Sequence, residues 1–582
     1  MSKLYPTYDR FVTYLRPLTL LIAVICCSSY KLHAQRLDAI GKEKPIKITG
    51  GLGLEQIAYW SSGLGEGRRD PYNFFLNGNL NIDLYGWSVP FSFTYSNQRN
   101  VAFSQPFNQY GLTPTYKWIT GHLGYSSMNF SSYTLAGHLF NGIGVDLAPP
   151  GHFKFSVMYG RLQKAVEADT TRPEIIPAYK RMGYGFKAGY STGKDNIELI
   201  LFRGKDDENS IRPVPQGYAL TPQENVALGL NVSKQFFDRL LFNAEVAVSA
   251  LTRDARAVSD SLGDIKAPTA GLIDKNSSTA MYTAYKTGLS YNGGHYTIGL
   301  GYEWVAPEYK TLGAYYFTND FENITGNFQL RMLKDRLTGA VNAGVQRNNL
   351  NHDKISTMRR FVGALNISFA ATKKMNWNFS YSNFQSFVNI RSQFDYLNEL
   401  TPYENLDTLN YTQLSSNASV GFNYNISQSK EKMQMVICNV SYMESSDKQG
   451  GVKQSSGAVF YNLNASYNLQ LIPKHMSIMA GFNANRNTSL NLESVTFGPT
   501  LGVNKSVLNK KMRLSGTLTW NGSFTNGENT SRILTARAGS AYTIKKVHSL
   551  NLGVTALHRD NTKGSNRKIS ELTTTLGYNY NF

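Results

Sequence analysis

Cysteine is nearly missing from this chain, with three in 582 residues: Cys26, Cys27 and Cys438. Two of them fall in the first 34 residues, so a chain cut after Ala34 keeps one. That excludes an intrachain disulfide and a cysteine-based metal site. Long apolar runs are missing too. A helical membrane protein needs stretches of about 20 apolar residues, and none occurs after residue 34. Charge is sparse at 17%, with 59 Lys and Arg against 40 Asp and Glu. The basic surplus is spread over the chain and forms no stripe, so nucleic acid is not expected as a partner. No His-Glu-x-x-His spacing is present, and no cofactor or metal is expected.

What is plentiful is aromatic residues, at 13%, together with Asn, Ser, Thr and Gly, a composition of strands and turns. Met1–Ala34 reads as a cleaved secretory signal. Lys3, Arg10 and Arg16 precede the apolar core Leu18–Cys27, which is too short to span a membrane. Its removal takes away four basic residues and one acid, lowering the net charge from +19 to +16. Residues 35–44 then form a short periplasmic segment, and 45–582 the main body.

The last strand sets the architecture. Leu576, Tyr578, Tyr580 and Phe582 alternate with Thr575, Gly577, Asn579 and Asn581. One face is greasy and the other polar, the period of a strand. A terminal aromatic strand is expected to close a membrane barrel by pairing with the first strand. The same alternation recurs in Tyr296, Ile298, Leu300, Tyr302 and Trp304, in Phe361 to Phe369, and in Val459 to Leu469. Connections alternate short and long. Short turns include Pro149–Gly151, Thr192–Asp195, Leu333–Arg336 and Ala371–Lys374. Long loops fall near 163–180, 204–224, 253–280, 305–321, 348–357, 385–413 and 443–455. This is the parity of a closed antiparallel transmembrane β-barrel with short periplasmic turns and long external loops. The short turns are basic (Lys334, Arg336, Lys373, Lys374, Lys510, Lys511, Lys545, Lys546), which suits anionic lipid headgroups.

Trp118–Tyr125 also alternates. Counted as one spanning strand, it would put every later short turn on the outside and leave an odd total. Residues 98–132 are therefore expected to be one external loop folded inward, leaving about 24 strands, in the range of roughly 22–26.

Several stretches are familiar: Ser88-Val-Pro-Phe-Ser-Phe-Thr-Tyr-Ser-Asn-Gln98, Tyr116-Lys-Trp118, His122-Leu-Gly-Tyr125, Tyr133-Thr-Leu-Ala-Gly-His138 and Leu312-Gly-Ala-Tyr-Tyr-Phe317. In these the chain resembles an uncharacterised family of Bacteroidota outer-membrane β-barrel proteins. The resemblance implies a Gram-negative outer membrane and a barrel, and brings no activity or site residues with it.

A barrel of this size exceeds the 16–18-stranded porins, which already enclose water, so its lumen needs a seal. Strand 1 starts soon after the signal and leaves no room for a preceding plug domain. The occluding residues are expected to be Phe103, Phe107, Tyr110, Tyr116 and Trp118 of loop 98–132, with loop 385–413 next. Charges such as Glu198, Arg203, Glu245 and Glu303 are expected on the lumen face. His122, His138 and Asp146 are expected to face the lumen together, as wall residues of a protein that is not an enzyme. The functional expectation is a gated or partner-gated passage for a solute or polypeptide. The alternative is a sealed barrel serving as platform for another protein, and a remote one is an outer-membrane hydrolase. Expected partners are membrane lipids, the outer-membrane barrel assembly machinery, and a surface-exposed or periplasmic protein.

Overall fold

The computed structural model describes residues 46–63, 70–97, 108–169, 176–213, 220–258, 272–273, 275–315, 317–353, 357, 359–383, 416–445, 448–449, 452–453, 458–489, 492–562 and 568–582. The expected signal and the segment 35–44, together with Phe103, Phe107 and loop 385–413, lie outside them.

One sheet of 27 strand segments runs through the described chain, each antiparallel to its neighbours. Two segments, Gln109–Leu112 and Thr115–Tyr116, are successive pieces of one stave. Both pair with Trp87–Ser96 on one side and Ile119–Asn129 on the other. The staves therefore number 26. Ile46–Ser62 pairs with Lys568–Asn581, from Gly51 opposite Asn581 to Ser62 opposite Ser570. Gly50 and Phe582 exchange both backbone bonds at 2.9 Å. The sheet is closed, and no edge is left to recruit another chain.

The count differs from about 24 because 98–132 is not a single inward loop. Its described part supplies two staves, Gln109–Tyr116 and Ile119–Asn129, joined at Lys117 and Trp118. Two extra staves preserve the parity that one would have broken. Pro114 explains why the first was hidden: it breaks the stave into pieces of four and two residues, too short to show a period. Of the expected occluding aromatics, the three that are described go to the other face. Tyr110 pairs with Phe93 and packs edge-on against Tyr125 at 6.2 Å, while Tyr116 stacks on Trp87 at 4.9 Å. Tyr110 and Trp118 are exposed on the outside or at the rim and do not fill the lumen.

The two faces follow from alternation. Outward-pointing Ile143, Leu199 and Leu300 are exposed to 58%, 60% and 67%, the surface that hydrocarbon accepts and water does not. Inward positions such as Asn483, Thr500 and Thr519 are polar and bonded to one another across strands. The short turns named above share one rim, whereas Asn526-Gly527 is a two-residue turn on the other. Tyr85 and Gly86 both have positive φ, 48° and 89°, the backbone that matches strand twist in a two-residue hairpin. Leu333-Lys334-Asp335 and Leu508-Asn509-Lys510 also run through the left-handed region. Backbone bonds from Arg336 to Leu333 and from Lys511 to Leu508 close them. Among the described residues no helix is long and apolar enough to cross a membrane.

Candidate functional site

Two segments on the long-loop rim fold into the lumen and meet. The first is Phe130–Leu135, between Ile119–Asn129 and Ala136–Leu147. Its Ser and Thr side chains make it turn on itself: the Ser131 and Thr134 hydroxyls are 2.8 Å apart, and Tyr133 N donates to Ser131 Oγ. The second is 306–320, between Tyr296–Val305 and Phe321–Met332. Asn319 Nδ2 donates to Tyr309 O at 2.8 Å and ties its two limbs together.

The segments are joined by three bonds. Ala136 N donates to Gly313 O at 2.9 Å, Tyr309 OH to Tyr133 O at 2.7 Å, and Thr311 Oγ1 to Thr134 O at 2.7 Å. Tyr133, Tyr309 and Phe317 form an aromatic cluster with centroids 5.0–6.2 Å apart. Gly313 is where the backbones come closest. A Cβ there would stand 2.5 Å from Thr134 O and 3.0 Å from Leu135 Cα, so only glycine fits.

The pair is anchored to the inner wall. Leu135 and Leu312 bury completely among Met128, Phe140, Met158, Leu162, Ile200, Phe202 and Ala227. Gly185 makes room there, since a Cβ would meet the Phe130 ring at 2.7 Å. Polar contacts fix the orientation. Leu312 N donates to Asn225 Oδ1 at 3.1 Å, Ser249 Oγ to Lys310 O at 2.7 Å, and Tyr133 OH to Glu303 Oε1 at 2.7 Å. Burial, with the Glu303 carboxylate beside it, pushes the Tyr133 phenol above its ordinary value. Burial does the same to Tyr309 and Tyr315. These phenols stay protonated through the physiological range, Tyr133 and Tyr309 as donors and Tyr315 accepting from Leu139 N.

His122 and Asp146 come together on the lumen wall: His122 Nε2 lies 2.8 Å from Asp146 Oδ2. Ser126 Oγ is 3.1 Å from His122 Nδ1, and Ser156 Oγ donates to Asp146 Oδ1 at 2.5 Å. His138 stands apart. Its ring stacks on Tyr315 at 4.0 Å, and its Nδ1 lies 2.7 Å from Leu139 O, so it belongs to the constriction. The Ser–His–Asp chain satisfies each polar group through its neighbour, as a wet wall requires. A Gly-x-Ser-x-Gly spacing does occur, at Gly189-Tyr-Ser-Thr-Gly193. It runs from a strand end into a short turn, where the Ser191 carbonyl meets His152 Nδ1 at 2.9 Å. That is not the strand-to-helix elbow on which such a serine acts. No metal-binding cluster of His, Cys, Asp and Glu occurs among the described residues. Glu198, Glu245 and Glu303 face inward, but Arg203 lies on the opposite face and pairs with Glu224 at 2.5 Å.

The described residues that fold into the lumen are therefore not Tyr110, Tyr116 and Trp118 but 130–135, which begins at the end of the expected loop, and 306–320. A signal for them existed. Leu199-Ile-Leu-Phe202 is apolar on both faces of its strand, which a water-filled lumen does not ask for. An inner face that turns greasy announces a covering segment.

No family model and no curated protein matches the chain. Solved structures share its general outline at low identity. The P pilus usher (PapC) translocation pore is 11% identical with a TM-score of 0.41, over 92% of this chain and 100% of that one. The FrpB iron transporter from Neisseria meningitidis is 10% identical with a TM-score of 0.36, over 94% and 82%. FpvA of P. aeruginosa is 9% identical with a TM-score of 0.34, over 92% and 72%. The barrel reading rests on the strand ladder itself.

Proposed function

We propose that this chain is an integral barrel of the Gram-negative outer membrane that acts as a gated passage for a polar solute. Hydrocarbon-compatible side chains outside and wet ones within support the membrane location. Expected partners follow from it: lipids around the wall, basic short turns against anionic headgroups, and the machinery that assembles such barrels. The observation that carries the gating is the docked pair 130–135 and 306–320. It covers one side of the lumen, and it is held by discrete side-chain contacts and not by a continuous ladder.

The test is conductance in planar bilayers. Gly313→Val forces the backbones apart, so its pores are expected to pass several-fold more current than the wild type. Heat-modifiable mobility on gels checks that the barrel still forms. The alternative, a sealed barrel that presents another surface protein, is favoured by the depth at which Leu135 and Leu312 are buried. It predicts silence from both proteins.

A further inference from the structure

Beneath the constriction, on the side of the short turns, the lumen wall forms an open recess of about 890 Å³. That is the size of sites that hold drug-sized ligands. The barrel ladder lays a polar row across it. Glu198 is opposite Asn231, Asn231 opposite Glu245, Glu245 opposite Lys286, Lys286 opposite Glu303, and Glu303 opposite Asn323. All six line the cavity, three carboxylates against one ammonium.

The row is short of donors. Asn231 Oδ1, Glu245 Oε1 and Asn323 Oδ1 are buried acceptors without a protein hydrogen-bond partner. Asn323 as a whole is only 6% exposed. Buried acceptors left unmatched cost free energy that a donor can recover. Three of them on one wall, with excess negative charge, select a ligand rich in hydroxyl and ammonium donors. Two members of the row meet the constriction: Glu303 Oε1 accepts from Tyr133 OH at 2.7 Å, and Glu245 meets Ser131 and the Tyr133 backbone. An ammonium reaching Glu303 competes with the phenol for that oxygen.

We propose that this cavity is a recognition site for an amine-bearing saccharide, and that occupying it loosens Tyr133 from Glu303. The proposal rests on the gated-passage reading and names its solute class. Isothermal titration of the detergent-solubilised full-length protein with the glucosamine trisaccharide tests it. Binding is expected, with maltotriose, which lacks the amines, weaker. Glu245→Gln and Asn323→Leu are each expected to weaken it about tenfold or more. Tyr133→Phe, which frees Glu303, is expected to tighten it several-fold.

No heat with the wild type overturns the site. So does unchanged affinity in both wall variants. An unchanged affinity in Tyr133→Phe overturns the competition at Glu303. The passage reading fails separately. If Gly313→Val conducts but no trisaccharide binds, the passage stands and the site falls. If the trisaccharide binds but neither protein conducts, the passage falls.

Discussion

The wall between Ile119 and Met332 and the wall between Leu337 and Asn581 are built from the same antiparallel ladder, yet their inner faces differ. Among the described residues both apolar clusters of the inner face, the one around Leu135 and Leu312 and the one around Tyr133 and Tyr309, fall between Met128 and Phe321. On the second wall the inner face carries short polar chains instead. Asn485 Nδ2 donates to Asn462 Oδ1 at 2.8 Å, and Asn462 Nδ2 to Ser441 Oγ at 3.3 Å. Thr496 and Ser523 meet at 2.5 Å, as do Ser380 and Ser419. One wall is satisfied by a segment of its own chain laid over it, the other by side chains that bond sideways and still face water. Hydrocarbon on an inner face is stable only where something covers it.

Breaking the covered wall has the larger consequences. Leu312→Ala removes a fully buried side chain from the centre of its cluster, at a cost of about 2–5 kcal/mol to docking. Hydrogen exchange is expected to show faster exchange at 306–320, with the barrel strands unchanged. Protection that stays at wild-type levels would mean that the cluster does not hold the segment. A smaller effect comes from pH. The docked phenols of Tyr133, Tyr309 and Tyr315 have raised pKa values. Once undocked they ionise near the ordinary value of about 10. Below that pH both states keep their protons and docking is indifferent to pH. Above it the undocked state loses protons first, so docking weakens as pH rises. Current through the wild type is expected to be flat from neutral pH to about 9 and to climb beyond about 10. A climb below pH 8 would assign the response to other groups. Smallest is Asn462→Ala on the polar wall. It removes the bonds to Ser441 and Asn485 from a side chain only 4% exposed, so thermal stability is expected to change by about 1 kcal/mol. Gating should stay the same. A variant that gates differently would erase the distinction between the two walls.

The outer surface was legible in the sequence because lipid imposes one rule on every strand. Tyr296, Ile298 and Leu300 announce it, and they are exposed where the period puts them. Chain parity was legible for the same reason, down to the long loops at 305–321 and 348–357. Two things were not. The stave at Gln109–Tyr116 is interrupted by Pro114 and too brief to carry a period. The constriction depends on contacts between residues about 180 positions apart, such as Thr134 and Thr311, and no local pattern encodes those. Loop 98–132 drew attention through its aromatics, but aromatics serve a membrane-facing girdle as well as a seal. The discriminating clue lay in the strands, at Leu199–Phe202, where both faces are apolar.

The two docked segments differ in reach. Phe130–Leu135 is six residues strung between Asn129 and Ala136, which are themselves paired across the ladder. Its midpoint can travel only about 10 Å from the rim even when fully stretched. The stretch 306–320 has fifteen residues between its strands, and its midpoint can travel about 25 Å. In the gated passage proposed above, opening would be lopsided: the shorter arm would stay as a seat, and the longer one would swing off it like a stopper on a tether.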